Sequence, residues 1–199
     1  MPRVFLSFRK VDSRWMRDRV YQALVDRFGA REVFKSGESI PPGADFAEIL
    51  RRQAAECELM LVLIGPAWLD AGGDDGMRLI DRAHDWVRVE IETALKAGNR
   101  VVPVLLGDAT MLPEASELPY EIAALARLQF LRVPQTHLAD ELDRLCVAVA
   151  DLMPDIGRGP VSPEAAAAPA AEPAVTMTAW VSGGGSAYQA AGDQTIRLA

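Results

Sequence analysis

Short apolar runs alternate with amphipathic stretches along most of the chain, and this alternation restricts the possible folds most strongly. Five runs have the character of buried strands: Arg3–Phe8, Glu32–Phe34, Glu58–Gly65, Arg100–Gly107 and Phe130–Val133. A helical pattern separates the runs, and parallel strands need such crossover connections. We therefore expect a flavodoxin-like α/β domain over residues 1–153, with a five-stranded parallel sheet and helices on both faces.

Apolar residues at helical spacing predict five helices between and after these runs. Ser13 is a candidate N-cap and Gly29 a candidate C-cap of the first helix. The predicted helices cover residues 13–29, 46–57, 85–95, 117–129 and 137–153. The connection "KSGESIPPGADF" is long for a strand-to-helix loop, which is typical of loops that are either functional or merely mobile.

The composition changes abruptly after Pro154. Residues 154–175 form a Pro/Ala-rich stretch that cannot bury a core and is expected to be a disordered linker. Residues 176–199 are β-prone, nearly uncharged and contain a triple glycine, so we interpret them as a separate short element.

Charge and cysteine content exclude several classes of function. The net charge of −7 argues against binding to nucleic acid, because no basic stripe offsets the repulsion from phosphates. No apolar segment reaches the length of about 20 residues that spans a bilayer. Cys57 and Cys146 are far apart and His84 and His137 stand alone, so the sequence predicts no disulfide, no metal site and a cytoplasmic location.

The first strand-to-helix loop contains no phosphate-binding motif. "FRKVDSRW" has neither G-x-G-x-x-G nor G-x-x-x-x-G-K-[ST], so a dinucleotide cradle and a P-loop are both absent. A phospho-receiver domain would need acidic residues where Phe8, Arg9 and Lys10 stand. The two basic side chains could bind an anion, or they could be solvated cations at the end of a strand.

The segment "DWVRVEIETAL" places Trp86 and Glu90 four residues apart, one position off the register of Val87, Ile91 and Leu95. Residues at this spacing are neighbours on the surface of a helix, so the aromatic ring and the carboxylate can contact one ligand. Alternatively, Glu90 is a solvated carboxylate beside an aromatic ring that covers the start of the helix.

Four segments, in order and at matching spacing, resemble the conserved boxes of a bacterial TIR domain. They are "VFLSFRK", "VFKSGESIPPGADF", "LVLIGPAWL" and "DWVRVEIETALKAGNRVVPVLL", and the resemblance covers residues 3–153. TIR domains are either adaptors that only assemble or enzymes that cleave NAD+ into nicotinamide and ADP-ribose or a cyclic isomer. The resemblance implies an NAD+ glycohydrolase that acts in antiviral defence; the alternative is a non-catalytic adaptor that binds other TIR domains.

The resemblance also implies roles for individual residues. Glu90 matches the catalytic glutamate of the enzymatic class, and Trp86 matches the aromatic residue that precedes it. The implied substrate-binding residues are Phe8, Arg9, Ser36, Ile40 and Trp86. The loop Ser36–Gly43 corresponds to the BB loop, through which TIR domains self-associate, although the family often carries an aspartate where this chain has Ser36. NAD+ enters as the substrate, and no cofactor is implied.

The chemistry of these residues suits the reaction. Cleavage of an N-glycosidic bond passes through a state with positive charge on the ribose, which a carboxylate stabilises. An aromatic face can stack on the cationic nicotinamide ring. Nicotinamide is a good leaving group, so no strong general acid is needed.

The tail segment "AYQAAGDQTI" resembles the short amyloid-signalling motifs of bacteria, which share a Gln/Gly pattern with RHIM motifs. Such a segment is suited to cross-β stacking, and it would allow a sensor protein with a matching motif to bring several copies together. A disordered tail and a strand docked on the edge of the domain's own sheet are the alternatives.

Overall fold

The computed structural model describes residues 2–37, 40, 42–73 and 75–156. Within them, five strands form one parallel sheet in the order β2-β1-β3-β4-β5. The strands are β1 Val4–Phe8, β2 Val33–Lys35, β3 Leu59–Ile64, β4 Arg100–Leu106 and β5 Leu131–Val133. This arrangement confirms the predicted flavodoxin-like α/β fold.

Four α-helices cover the sheet: α1 Arg14–Phe28, α2 Phe46–Glu56, α3 Trp86–Ala97 and α4 Leu138–Leu152. Helices α1 and α4 pack on one face, whereas α2 and α3 pack on the other. The predicted N-cap Ser13 lies at the start of α1, but its side chain makes no capping hydrogen bond.

The prediction of a helix over residues 117–129 was wrong in type. The structure has two 3₁₀-helices there, Ala115–Glu117 and Tyr120–Arg127. Leu118 between them is extended, with ψ of 146°. A residue that precedes proline is disfavoured in the helical region, so Pro119 interrupts the helical pattern.

The alternation of side chains along β1 determines which residues can reach the functional site. Val4, Leu6 and Phe8 belong to the cluster under α1 and α4, whereas Phe5 belongs to the cluster under α2 and α3. Successive residues of a strand point to opposite faces, so Ser7 points toward α2 and α3, as Phe5 does.

The same rule applies at the end of β2. Phe34 packs in the cluster under α2 and α3, and Lys35 pairs with Asp18 of α1 on the opposite face. Leu6 is in register with Lys35, and the Ser36 amide donates to the carbonyl of Leu6. Ser36 therefore follows the strand beside Ser7.

Packing of the domain extends slightly beyond α4. Met153 and Ile156 are buried in the cluster under α1 and α4. Most of the predicted linker at 154–175 and all of the predicted element at 176–199 lie outside the described residues. No helix of the described part has both the length and the apolar character needed to cross a bilayer.

The two cysteines and the two histidines differ in burial. Cys57 and Cys146 are buried and unpaired, and burial raises the pKa of both thiols. His84 and His137 are exposed, and His137 precedes α4 without making a capping hydrogen bond through its side chain.

Candidate functional site

A cavity of about 270 Å³ lies where β1 and β2 end and α3 begins. In an open parallel sheet, ligands bind outside the carboxyl ends of the strands, so the cavity occupies the expected place. It is lined by Phe8, Arg9, Lys10, Val11, Ser36, Gly37, Phe46, Leu79, Asp85, Trp86, Val87 and Glu90. Five of the six predicted site residues therefore line one cavity: Phe8, Arg9, Ser36, Trp86 and Glu90.

Glu90 lies within the buried face of α3 rather than at its rim. Val87, Ile91 and Ala94 form the apolar stripe of the helix, and Glu90 falls at i+3 from Val87 on that stripe. Its side chain is only 2% exposed, so the alternative of a solvated carboxylate is excluded. A carboxylate buried to this degree needs hydrogen-bond donors.

Two serine hydroxyls supply those donors, one on each carboxylate oxygen. Ser7 Oγ donates to Glu90 Oε2 over 2.5 Å, and Ser36 Oγ donates to Glu90 Oε1. Both serines are buried. An aspartate at position 36 would be only an acceptor when ionised, and it would repel Glu90. In this chain the hydroxyl of Ser36 makes the contact possible.

The environment shifts the ionisation of Glu90 toward neutral pH. The pKa of its carboxyl is raised from 4.5 to about 7; burial is the largest cause, and the negative charge of Asp85 acts in the same direction. Hydrogen bonds from Ser36 and Ser7 and the charge of Arg9 act in the opposite direction. A carboxyl with a pKa near 7 in a cleft is characteristic of acid–base and charge-stabilising sites.

Arg9 was predicted either to bind an anion such as a phosphate or carboxylate or to be solvated, and the structure pairs it with a carboxylate of the protein itself. It is only 4% exposed, and its Nη1 and Nη2 donate to the two carboxylate oxygens of Asp85 over 2.9 and 3.0 Å. Its Nε donates to the carbonyl of Trp68 over 3.0 Å. Every guanidinium nitrogen of Arg9 therefore has a partner in the protein.

Asp85 connects Arg9 to the helix that carries Glu90. It is the N-cap of α3, and its carboxylate accepts the backbone N–H of Arg88. Capping satisfies a free donor in the first turn and fixes where the helix begins. Arg9 thus anchors the start of α3, and this sets the position of Glu90 one turn later.

Aromatic side chains line part of the cavity: Phe8 at the end of β1, Phe46 at the start of α2 and Trp86 at the start of α3. Trp86 is half-buried, and its ring meets that of Phe46 edge-on, with centroids 5.0 Å apart and an interplanar angle of 83°. The guanidinium of Arg51 lies over the Trp86 ring at 5.4 Å, and that of Arg17 lies over the Phe8 ring at 4.4 Å. These contacts hold both rings in place.

The predicted loop Ser36–Gly43 is described only in part, because residues 38, 39 and 41 lie outside the described residues. Ile40 is half-buried and packs against the cluster under α2 and α3. It is not among the described residues that line the cavity.

Three contributors to the site were missed in the sequence: Ser7, Asp85 and Phe46. Ser7 could have been found from the alternation in "VFLSF", because it is the polar residue on the face that α3 covers. Asp85 has the residue type of an N-cap directly before the helical pattern. For Phe46, the first residue of α2, the sequence holds no signal that it meets Trp86.

Other features of the described residues offer less chemistry. A wider groove of about 580 Å³ runs between α1 and α4, but its carboxylates, Asp26 and Asp143, are exposed. Among the described residues, no group of three or more His, Cys, Asp and Glu side chains is placed to hold a metal ion.

The chain is similar to known TIR domains in sequence pattern and in fold. The sequence profile of the TIR domain matches residues 4–146. The TIR domains of the activated Roq1 resistosome, which directly recognizes the pathogen effector XopQ, superimpose with a TM-score of 0.54 at 13% identity, over 73% of this chain and 98% of that chain.

A metazoan TIR-STING receptor from C. gigas, solved in complex with 2',3'-cGAMP, gives a TM-score of 0.46 at 16% identity. The match covers 73% of this chain and 40% of the receptor chain. No curated protein matches the chain. Because the profile match spans more than half of the sequence, the chain belongs to the TIR domain family.

Proposed function

We propose that this TIR domain is an NAD+ glycohydrolase with Glu90 as the catalytic carboxylate. The observation that carries the proposal is the buried position of Glu90, in a cavity with an aromatic wall, with a pKa raised to about 7. Burial of an acid is costly for stability, and such a cost is characteristic of functional sites. The match to the TIR family supports the same role, since that family includes enzymes that cleave NAD+.

The reaction breaks the bond between C1′ of the ribose and N1 of the nicotinamide ring. The electron pair of that bond stays with nicotinamide, which leaves as a neutral molecule, and positive charge develops on the ribose. Ionised Glu90 stabilises this charge within a low-dielectric site. A water oxygen then bonds to C1′ and releases one proton to solvent, which gives ADP-ribose. If a nitrogen of the adenine bonds to C1′ instead, the adenine releases one proton to solvent and a cyclic isomer forms.

Trp86 provides the surface for the nicotinamide ring. The ring is cationic before cleavage, and a cationic ring is attracted to the face of an indole. The ring of Phe46 contacts that of Trp86 edge-on, and Phe8 at the end of β1 also lines the cavity. Glu90, one helical turn after Trp86, then faces the ribose.

The size of the cavity supports activation by assembly. Its volume of about 270 Å³ is below the range of roughly 300–1,000 Å³ for pockets that enclose a ligand of drug size. The nicotinamide and its ribose fill it, and the adenosine diphosphate part extends outward. A second TIR domain, bound through the loop Ser36–Gly43, would cover that part.

We assign the trigger for assembly to the C-terminal element. Residues 176–199 would stack with copies of the same element or with the matching motif of a sensor protein, as part of a cytoplasmic defence response in bacteria. Deletion of residues 180–199 is expected to abolish fibre formation, measured by electron microscopy, while the circular dichroism of the domain is retained. Fibres formed by the truncated protein would contradict this role.

A non-catalytic adaptor is the second candidate function. The observation in its favour is that both oxygens of Glu90 are already hydrogen-bonded to protein hydroxyls. An adaptor would bind other TIR domains whether or not Glu90 is present. The two functions are distinguished by the dependence of NAD+ loss on this carboxylate.

The test is an assay of NAD+ loss by protein clustered on beads, with dilute protein alongside. Glu92→Gln is the matched control for Glu90→Gln, because Glu92 lies on the same helix but pairs with Lys96 at the surface. We expect clustered wild type and Glu92→Gln to consume NAD+, and Glu90→Gln to lose at least about 100-fold in rate. NAD+ left intact by clustered wild type would favour the adaptor.

A further inference from the structure

We propose that the two serines have different roles at Glu90: Ser7 is a positioning residue that holds one carboxylate oxygen throughout, and Ser36 occupies the other oxygen until a hydroxyl of the substrate replaces it. The proposal rests on the proposed function, in which Glu90 faces a ribose. It identifies the substrate as a ribosyl compound with a free hydroxyl at this point.

The two serines lie on different sides of the Glu90 carboxylate, and only Ser36 lines the cavity. Ser7 is fully buried in β1, which is paired on one side with β2 and on the other with β3, and it does not line the cavity. A ligand in the cavity therefore meets Glu90 from the side away from Ser7. The contact between Ser7 and Glu90 Oε2 remains when the cavity is filled.

Ser36 stands on the cavity side of the carboxylate. It follows β2, an edge strand of three residues, and it lines the cavity together with Glu90. Its hydroxyl donates to Oε1, the oxygen not held by Ser7. A ligand that enters the cavity reaches this hydrogen bond first.

A sugar hydroxyl can replace the hydroxyl of Ser36 as the donor to Glu90 Oε1, because the two groups are the same kind of donor. When a ribose hydroxyl takes the place of Ser36, Oε1 keeps one hydrogen bond and no buried acceptor is left without a partner. A ligand without a hydroxyl at this position would displace Ser36 and leave Oε1 unsatisfied. The site therefore discriminates against deoxyribosyl compounds.

The charged groups near Glu90 must be considered in any test that varies pH. Asp85, at the start of α3, raises the pKa of Glu90, and Arg9, after β1, lowers it. Neither group is changed by substitution of the serines. Removal of either hydroxyl takes away a hydrogen bond that favours the ionised carboxylate, so both variants raise the pKa of Glu90.

The experiment compares Ser7→Ala and Ser36→Ala in the clustered full-length protein at pH 9, where Glu90 is ionised in every variant. Ser116→Ala, an exposed serine of a 3₁₀-helix, is the control that leaves the kinetics unchanged. We expect Ser7→Ala to lower kcat about 10-fold, because the carboxylate is no longer held in position. We expect Ser36→Ala to lower KM for NAD+ about 10-fold, because no hydroxyl has to be displaced.

A second measurement does not depend on turnover. Titration by calorimetry with ADP-ribose is expected to show tighter binding to Ser36→Ala than to wild type, and no such gain for Ser7→Ala. A ¹³C NMR titration of the glutamate carboxyls should show the Glu90 pKa raised by about one unit in both variants.

Identical kinetic effects of the two substitutions, or weaker ADP-ribose binding by Ser36→Ala, would overturn the division of roles while leaving the proposed function intact. Failure of the proposed function has a different signature. In that case clustered wild type would leave NAD+ intact, and the binding and NMR measurements would still decide whether the two serines differ.

Discussion

Ser7 and Glu90 are 83 positions apart in the sequence, and their side chains meet at 2.5 Å inside the domain. The contact joins β1, an interior strand of the sheet, to the buried face of α3. It places a carboxylate where an apolar residue would normally pack, and it gives that carboxylate a donor.

The buried carboxylate should make stability depend on pH. The pKa of Glu90 is raised from 4.5 to about 7, mainly by burial. Between these two values the folded protein binds more protons than the unfolded chain, so stability falls as the pH rises through this window. Glu90→Gln removes the charge and should stabilise the domain at pH 8 by up to about 3 kcal/mol.

Urea denaturation at pH 5 and pH 8 measures this effect. The gain in the free energy of unfolding from Glu90→Gln should be clearly smaller at pH 5, where Glu90 is mostly protonated in the folded protein. Equal gains at the two pH values would contradict the assigned pKa.

The ion pair between Arg9 and Asp85 should be important for stability. Asp85→Ala removes the N-cap of α3 and leaves the guanidinium of Arg9 buried without its partner. Breaking a buried pair in this way costs about 3 kcal/mol or more. Asp85→Asn retains a capping oxygen, so we expect it to cost less than Asp85→Ala.

Chemical denaturation of the two Asp85 variants gives these costs directly. If the free energies of unfolding of both variants were within about 0.5 kcal/mol of the wild-type value, the ion pair would not anchor α3.

Trp86 should contribute mainly to substrate binding. We expect Trp86→Ala to raise KM for NAD+ about 10-fold, because a stacking surface is lost, and Trp86→Phe to retain much of the affinity. Steady-state kinetics of the clustered proteins would measure both values. An unchanged KM in Trp86→Ala would show that the nicotinamide does not stack on this ring.

Gly65 fixes the first strand-to-helix loop against the third strand. Asp12 accepts the backbone N–H of Gly65 over 2.7 Å and that of Ala67 over 3.3 Å. A Cβ at Gly65 would lie 2.4 Å from the Asp12 carboxylate and 2.2 Å from the hydroxyl of Ser13.

We expect Gly65→Ala to lower the melting temperature by several degrees, corresponding to about 2 kcal/mol. Gly72→Ala is the control, because the nearest atom to its added Cβ is 3.8 Å away. Thermal denaturation of the two variants should separate them clearly; similar melting temperatures would show that the loop tolerates the displacement of Asp12.

Much of the fold could be predicted from the sequence because each strand is a short apolar run and each α-helix carries apolar residues at helical spacing. The 3₁₀ conformation within residues 117–129 could not be predicted, because these residues have a helical pattern that Pro119 interrupts. Glu90 could be identified as a candidate from its spacing and from the resemblance. Its burial was missed because Leu95, which is half-buried, was taken to define the apolar stripe instead of Ala94.

The partners of Glu90 depend on features that a linear pattern does not contain. Ser7 reaches Glu90 because α3 lies over β1, and Ser36 lies beside Ser7 because Leu6 is in register with Lys35. The role of Arg9 as a substrate-binding residue was implied by the resemblance to TIR domains, and its position at the end of a strand gave no indication of a partner within the protein. The structure pairs it with Asp85, 76 positions away.

The role of Glu90 as the catalytic carboxylate is tested by the release of nicotinamide from NAD+ at pH 8. Chromatography quantifies this release for clustered wild type and for clustered Glu90→Gln. We expect nicotinamide to form together with ADP-ribose or its cyclic isomer in the wild-type reaction, and its rate to fall by at least about 100-fold in Glu90→Gln although that variant is folded. Equal nicotinamide release by the two proteins would contradict the assignment of Glu90 as the catalytic carboxylate.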